Sequence, residues 1–349
     1  MRFVHTTLAQ RVRFGTGQAA EGVAAELDRL GSRRPLVIAT RVALARELTA
    51  SRPDAVFQTE VTQHVPVALA EATRARAAAE GVDALVAIGG GSAVGLAKAV
   101  ALTSGLPIVA VPTTYAGSEA TEVWGLTADG VKRTGTDLAV LPVAVVYDAA
   151  LTTSMPVPLS VVSGLNAVAH VVDGQWAPNA DPINRALGLE ALRALHAGLT
   201  AVVADPTGVD GREQSQYGCY LAGVAFTSAG SGLHHKICHA LGGTFGLPHA
   251  ETHAVVIPHV LAFNAPAAPE AVARIATGLG VADAVTGLDA WCNDLGAPRS
   301  LRELGLAESD LARAAELILP AVPASNPRAV DLTALTRLLH DAWSGGLHE

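Results

Sequence analysis

Histidines concentrate in one stretch of the chain, where five of them fall within twenty residues: His234, His235, His239, His249 and His253. His235 and His239 are four residues apart, as are Asn166 and His170 earlier in the chain. A spacing of four places each pair on one face of a helix. Because imidazole transfers protons near neutral pH and often binds metals, this spacing predicts a reaction centre built on helices.

A second motif, Gly89-Gly90-Gly91-Ser92, is of the kind that holds a phosphate. Glycines let a ligand approach the backbone closely and permit positive φ angles. Ser92 is predicted to cap the helix that follows, whose free N–H groups and dipole favour an anion. The motif is not G-x-G-x-x-G, so a plain tight turn is the alternative for this motif taken alone.

The next predicted strand ends in Pro112–Glu119, a segment that carries the hydroxyl groups of Thr113, Thr114 and Tyr115. Open α/β sheets bind ligands at the carboxyl ends of their strands. Two such loops on neighbouring strands therefore predict a dinucleotide site.

Thr40 and Arg41 follow the strand that ends at Ala39, where many NAD-binding folds place a carboxylate for the ribose 2′-hydroxyl. A missing carboxylate and a nearby guanidinium tolerate a 2′-phosphate. We therefore expect NADPH to be accepted as well as NADH, with Thr40 on the cofactor side.

Two different patterns organise the chain around these motifs. Buried strands are predicted at 36–39, 84–88, 108–111 and 143–147, with helices such as 67–80 and 93–102 between them. This alternation is typical of a parallel sheet covered on both faces. Beyond Pro156 and Pro158, helices are predicted at 160–177, 182–204, 213–229, 232–243, 268–279 and 331–343. The sequence thus predicts an α/β domain over 1–155 and an all-helical domain over 156–349.

Composition excludes several classes of protein. Half of the 349 residues are apolar and 16% are charged, which is incompatible with disorder. The net charge of −8, without a basic cluster, argues against a nucleic-acid partner. Three widely spaced cysteines, no signal peptide and no apolar run judged long enough for a bilayer lead us to expect a soluble cytoplasmic protein without a membrane partner.

The order of these motifs resembles the iron-containing alcohol dehydrogenase superfamily and, within it, the maleylacetate reductases. The matching segments span nearly the whole chain: 89–92, 112–119, 163–170, 233–253 and 326–328. The resemblance implies an N-terminal α/β dinucleotide-binding domain, a C-terminal helical domain, a cleft between them and a homodimer. It also implies reduction of maleylacetate to 3-oxoadipate with NADH or NADPH, a step in the catabolism of aromatic compounds.

Residue by residue, the resemblance implies cofactor contacts at Gly90, Gly91, Ser92, Thr113 and Thr114, and further cofactor-side positions at Lys132 and Leu151. Metal-dependent members hold their ion with an Asp and three His, and these positions match Asn166, His170, His235 and His249. His239 matches a residue thought to assist proton transfer.

Asn166 departs from the metal-binding pattern, because an amide supplies a neutral oxygen where a carboxylate supplies an anionic one. Three neutral imidazoles and an amide leave a buried divalent charge uncompensated. We therefore expect no tightly bound catalytic metal, which is also what the resemblance to maleylacetate reductases implies.

The substrate implied by the resemblance is a dicarboxylate enone. Without a metal, hydrogen-bond donors must stabilise the oxyanion that develops during reduction. His239 and His249 are the expected donor and acid, with His170 and His235 shaping the pocket. Tyr115 is a weaker candidate donor, and packing against the cofactor is the alternative for it. The candidate partners for the substrate carboxylates are Asn166, His253, Lys236 and Arg328.

Structural roles remain open for several of these residues. His234 and His253 could be solvated or satisfied by backbone groups, and Lys236 could be a surface charge. Three rival functions also stay open: a metal-dependent alcohol or polyol dehydrogenase on the same fold, a lyase of the dehydroquinate-synthase type, and a non-catalytic dinucleotide sensor.

Overall fold

A computed structural model describes residues 1–63, 65–128 and 131–347. The chain forms two compact units. The α/β unit comprises Thr7–Met155 and Thr207–Gln216, and the helical unit comprises Met1–Thr6, Pro156–Pro206 and Tyr217–Glu349.

Two short segments differ from the predicted division at residue 155. In the helical unit, Nδ1 of His5 lies 2.8 Å from a carboxylate oxygen of Asp181, which ties the N-terminal residues to that unit. In the α/β unit, Arg212 donates to the hydroxyl of Tyr115 and to the carbonyl of Met155, which ties residues 207–216 there. Sequence periodicity cannot reveal such contacts because each joins positions far apart in the chain.

The α/β unit is built on a six-stranded parallel sheet in the order β1-β8-β5-β4-β2-β3. Its strands are β1 (Arg11–Phe14), β2 (Pro35–Ile38), β3 (Val56–Gln58), β4 (Ala84–Gly89), β5 (Ile108–Pro112) and β8 (Ala144–Tyr147). An antiparallel pair, β6 (Val123–Ala128) and β7 (Val131–Thr136), forms a separate small sheet. The four predicted strands are confirmed as β2, β4, β5 and β8. β1 and β3 were not predicted, since β1 is exposed throughout and β3 has three residues.

Helices cover both faces of the parallel sheet. They are α1 (Ala19–Leu30), α2 (Val42–Leu48), α3 (Val67–Ala79) and α4 (Gly91–Ser104). Alternate strand residues, such as Val86 and Val109, pack with Val23 of α1 and Leu48 of α2. α4 packs on β4 and β5 and has no residue in that cluster, so it covers the opposite face. The sheet core fixes where the strands end and therefore where the loops after β4 and β5 stand.

The helical unit is formed by α5 (Val157–Gly174), α6 (Pro182–Ala204), the later part of α7 (Val209–Ala229), α8 (Leu233–Phe245), α9 (His249–Asn264), α10 (Pro269–Leu279), α11 (Ala284–Asp294), α12 (Leu311–Ile318) and α13 (Leu332–Ser344). α5 is buried from Ser160 to Gly174 and packs against α6, α8 and α9. α9 was not among the predicted helices, because Pro258 interrupts its pattern.

Three helical stretches among the described residues are long and apolar enough to cross a membrane, judged by length and composition alone: Val157–Gly174, Pro182–Ala204 and Pro269–Asp294. The expectation that no run reaches this length was therefore wrong. A helix buried among other helices needs an apolar surface as a membrane helix does. In Val157–Gly174, 83% of the stretch is buried inside the protein.

Candidate active site

The loop after β4 is the candidate cofactor site of the α/β unit. β4 ends at Gly89 and α4 begins at Gly91, with Gly90 as its extended N-cap residue. No side chain caps this helix among the residues described, so the prediction that Ser92 is the cap was wrong. Ser92 already belongs to the first turn. The N–H groups of a helix's first turn lack acceptors within the helix and point outward, which suits a phosphate.

The loop after β5 lies against this glycine loop. Gly89 pairs with Pro112 in the sheet, and the N–H of Thr113 donates to the carbonyl of Gly89 over 3.0 Å. A Cβ added to Gly90 would stand 2.8 Å from Cγ2 of Thr114, which is closer than van der Waals contact allows. Gly90 and Thr114 therefore pack closely, and we call the two loops to which they belong the cradle.

A buried lysine supports the segment that continues from this cradle. Lys98 on α4 donates to the carbonyls of Ser118, Thr121 and Val123 at 2.7–2.8 Å. Sequence analysis did not single out this residue. An apolar helix with one lysine on its buried face was the available signal.

The remaining cofactor-side candidates lie outside the loops after β4 and β5. Thr40 is exposed just after β2, and Arg41 is exposed with a guanidinium N–H 3.3 Å from the hydroxyl of Ser154. Leu151 is half-buried and packs against the apolar cluster of the sheet, which indicates a structural contribution. Lys132 lies in β7, but its side chain falls outside the part of the chain that the structure describes.

Tyr115 is fully buried in the α/β unit and cannot serve as an exposed donor to substrate there. Its hydroxyl accepts a hydrogen bond from Arg212 at 3.2 Å and lies 3.4 Å from Oγ1 of Thr152. The suggestion that Tyr115 stabilises the substrate oxyanion was therefore wrong.

The helical unit gathers the predicted histidines from three helices. His170 comes from α5, His235 and His239 from α8, and His249 from the first residue of α9. The ring centroids of His170 and His235 are 5.2 Å apart, those of His235 and His239 6.0 Å, and those of His239 and His249 6.5 Å. His239 is exposed and His249 half-buried, whereas His170 and His235 are buried. We call these four residues the histidine cluster.

Phe226 of α7 closes one side of the histidine cluster. Its ring centroid lies 4.5 Å from that of His170 and 4.4 Å from that of His235. Burial lowers the pKa of His170 to about 4 and holds the pKa of His235 well below its usual range, so both rings are neutral near pH 7. Sequence analysis did not identify Phe226, since an aromatic residue in a helical pattern ordinarily belongs to the core.

Two further histidines, His234 and His253, are buried next to the histidine cluster. Nε2 of His234 is 2.9 Å from Nδ1 of His253, and Sγ of Cys238 is 3.5 Å from the same Nε2. His234 and His253 are at most 1% exposed, and burial holds the pKa of each well below its usual range. His253 is therefore a neutral, hydrogen-bonded core residue, which contradicts its suggested role as a cation for a substrate carboxylate.

Lys236 and Arg328, the other two suggested cations, are placed differently from each other. Lys236 is half-buried on α8 beside His235, and its ammonium donates to the hydroxyl of Ser231 over 2.9 Å. Arg328 donates to the carbonyl of Phe263 near the end of α9 and covers that residue's ring. Phe263 stands fourteen positions after His249 on α9, about 20 Å along the axis. Arg328 is therefore too far away to bind the same small substrate as His249.

One of the family's four metal positions carries an amide in this chain. Asn166, 5% exposed on α5 one turn before His170, supplies an uncharged oxygen. The described residues contain one group of three His, Cys, Asp or Glu ligand atoms within 4.8 Å of one another, and it is the deeper set His234, Cys238 and His253. The short contact between His234 and His253 accounts for that grouping without an ion.

Comparison with known proteins assigns the family. Residues 9–149 match the model of iron-containing alcohol dehydrogenases, and residues 160–343 match the C-terminal model of the Fe-containing alcohol dehydrogenase family. The chain belongs to the iron-containing alcohol dehydrogenase family. It is an oxidoreductase of that family, and its glycine loop fits a nicotinamide dinucleotide.

Similar proteins within the family cover essentially the whole chain. A maleylacetate reductase of Sphingobium indicum is 46% identical, with 99% of this chain and 98% of the relative covered. The crystal structure of an iron-containing alcohol dehydrogenase from Corynebacterium glutamicum is 51% identical with a TM-score of 0.97, covering 99% of this chain and 98% of that one. A maleylacetate reductase structure from Agrobacterium tumefaciens is 40% identical with a TM-score of 0.94 and covers 99% of both chains.

Proposed function

We propose that this protein is a maleylacetate reductase, which reduces maleylacetate to 3-oxoadipate with NADH or NADPH during the catabolism of aromatic compounds. The observation that carries the proposal is the amide of Asn166 beside a full histidine cluster. An alcohol dehydrogenase that uses iron needs an anionic ligand at that position, whereas a reductase that uses imidazole donors does not. The names of the relatives support the same substrate.

The reaction divides between the cofactor and the chain. When bound, the nicotinamide supplies a hydride to the alkene carbon β to the ketone. The chain must then stabilise the negative charge that develops on the ketone oxygen and deliver a proton to the adjacent carbon. His239 and His249 are proposed as the donor and the acid, because they are the members of the histidine cluster that reach solvent.

The buried members of the cluster set the shape and polarity of the pocket. His170 and His235, with Phe226 against both, present neutral rings that exclude water from the reacting carbons. Asn166 and Lys236 are proposed to hold the substrate carboxylates, the first by its amide N–H groups and the second by its charge. No catalytic metal takes part in this proposal.

The cofactor proposal covers both nicotinamide dinucleotides. Thr40 and Arg41 are exposed after β2, where a carboxylate would repel a 2′-phosphate and a guanidinium attracts one. Measuring the KM for NADH and for NADPH tests it. A rate with NADPH below about one thousandth of that with NADH would contradict it.

We also propose a cytoplasmic homodimer without a membrane or nucleic-acid partner. β1 is an edge strand of the sheet, and its Val12 and Phe14 are exposed. Open strand edges with apolar residues favour pairing with another chain. Light scattering after size-exclusion chromatography should give the mass of two chains, and the mass of one would refute the dimer.

The experiment that tests the function follows the oxidation of NADH with maleylacetate and, in parallel, with a simple aldehyde, each with and without a strong chelator. The proposal predicts rapid oxidation with maleylacetate that the chelator leaves unchanged. Faster turnover of the aldehyde, abolished by the chelator, would establish a metal-dependent alcohol dehydrogenase instead. Conversion without net NADH oxidation would indicate a lyase.

A further inference from the structure

Asp173 is a completely buried carboxylate one turn after His170 on α5. It accepts hydrogen bonds from the backbone N–H of Gly232 at 2.7 Å and of His234 at 3.2 Å, with a longer contact to the N–H of His235 at 3.4 Å. The same carboxylate lies 2.8 Å from Nδ1 of the His235 ring. One side chain thus serves both a helix terminus and an imidazole.

Burial raises the pKa of Asp173, whereas the backbone N–H groups that contact the carboxylate oppose that rise and favour its ionised form. Gly232 is the N-cap residue of α8 and has no side chain with which to cap it. The Asp173 carboxylate takes over that function from a different helix, and a Cβ at position 232 would collide with it. Three backbone N–H groups at a positive helix end require an acceptor, which favours the ionised carboxylate.

An ionised carboxylate beside Nδ1 determines which ring nitrogen of His235 carries the proton. Nδ1 must be protonated to donate to Asp173, so the neutral ring leaves Nε2 with a lone pair. Nε2 of His235 is buried and has no hydrogen-bond partner within residues 1–63, 65–128 and 131–347. A buried acceptor of this kind is costly unless something bound donates to it.

We propose that Asp173 is a positioning residue that fixes His235 in the Nδ1-protonated tautomer, so that Nε2 accepts a hydrogen bond from a bound water. His235 then cannot donate to the ketone oxygen of the substrate. The donors must come from His239 and His249. The assignment of the tautomer stands independently of the substrate, and only its kinetic consequence rests on the proposed function.

Replacing Asp173 with Asn removes the negative charge and one acceptor. The oxygen that faces Nδ1 also accepts from the N–H of Gly232 at 2.7 Å, so the amide oxygen of Asn should keep that place and preserve the tautomer of His235. The amide N–H then faces the N–H of His234, which weakens the hold of residue 173 on α8 and on the ring. The matched control is Asp181→Asn. Asp181 also caps a helix, accepting from the N–H of Ile183 and Asn184, and also contacts a histidine Nδ1, that of His5.

The test is long-range ¹H–¹⁵N NMR on the full-length protein with ¹⁵N-labelled histidine, with the His235 signals assigned by their loss in His235→Gln. Wild type, Asp181→Asn and Asp173→Asn should all show His235 protonated at Nδ1. An Nε2-protonated ring in the wild type overturns the proposal, and this measurement holds even if Asp173→Asn fails to fold.

Kinetics give the second readout. Asp173→Asn should lower kcat with maleylacetate by about 10-fold or more, as loss of an orienting partner commonly does, with the KM for NADH unchanged. Asp181→Asn should keep the wild-type kcat despite a similar loss of thermal stability. Equal kcat losses in both variants would mean that Asp173 acts only as a helix cap. If maleylacetate is not reduced at all while the NMR result holds, the proposed function fails and the tautomer assignment stands.

Discussion

Two neighbouring glycines allow the cofactor cradle to be tested by substitution. Gly90 has φ −87° and ψ −163°, a conformation open to alanine, so Gly90→Ala introduces no backbone strain. The new Cβ meets Thr114 at 2.8 Å from Cγ2 and 3.1 Å from Oγ1. A Cβ at Gly91 finds as its nearest neighbour only the Cβ of Ala116 at 3.9 Å, an ordinary contact.

The size of the effect follows from this geometry. Relieving an overpacked contact of this kind costs about 1–3 kcal/mol. If that cost must be met when the loop closes on the cofactor, the Kd for NADH rises about 5- to 150-fold in Gly90→Ala. Adding Thr114→Ser removes Cγ2, the closer of the two atoms, and should recover most of the lost affinity.

Gly91→Ala separates packing from cofactor approach. The protein has room for this Cβ, and alanine in a helix is preferred over glycine by up to about 1 kcal/mol, so the stability without cofactor should be unchanged or higher. NADH affinity should nevertheless fall, because the methyl group occupies the space through which the pyrophosphate reaches the backbone. Fluorescence titration with NADH and thermal unfolding measure both quantities. Wild-type NADH affinity in both single variants would refute the placement of the pyrophosphate at this loop.

Three further outcomes follow from the site. His239→Ala and His249→Ala should each lower kcat with maleylacetate by about 10²-fold or more while leaving NADH binding intact, and wild-type rates in both would dismiss their assignment as donor and acid. Asn166→Asp restores an anionic ligand, so elemental analysis should find iron or zinc approaching one ion per chain in this variant and only traces in the wild type. Burial lowers the pKa of His170 to about 4, from 6.5 in the unfolded chain. Between these two pH values the unfolded chain binds a proton on this ring that the folded protein does not bind. The free energy of unfolding should therefore fall by about 1.4 kcal/mol per pH unit for this group as the pH drops through that range. A denaturation series from pH 7 to 4 on wild type and His170→Gln should show a shallower fall in the variant, and equal slopes would contradict the neutral buried ring.

The sequence predicted the parts of the fold that follow from local pattern. The strands later numbered β2, β4, β5 and β8 are continuous apolar runs bounded by turn residues, and such runs are typical of a buried parallel sheet. β1 alternates arginine with Val12 and Phe14 and is exposed, so its only mark as a strand is its pairing with β8. α9 carries Pro258 within its length, and local rules end a helix there although packing against α5 sustains it.

The candidate site likewise contains residues that local spacing predicts and residues that it does not. Spacing predicted that His235 and His239 share one helix face, and their ring centroids lie 6.0 Å apart on α8. His170 and His249 join them from α5 and α9 through packing between helices, which spacing within a helix does not reveal. Tyr115 and Arg328 were misassigned, since their partners Arg212 and Phe263 come from distant parts of the chain and carry no signal in sequence spacing. Asp173 was missed, although its position three residues after His170 on the same helix was an available clue.

The claim that imidazoles replace a metal in reducing an alkene can be tested by following deuterium. NADH doubly deuterated at C4 of the nicotinamide should be oxidised with maleylacetate by enzyme whose metal content has been measured by mass spectrometry. The account predicts 3-oxoadipate with deuterium on the carbon β to the ketone, formed at full rate by enzyme containing far less than one metal ion per chain. Deuterium on a carbinol carbon, or a rate proportional to bound metal, would contradict it.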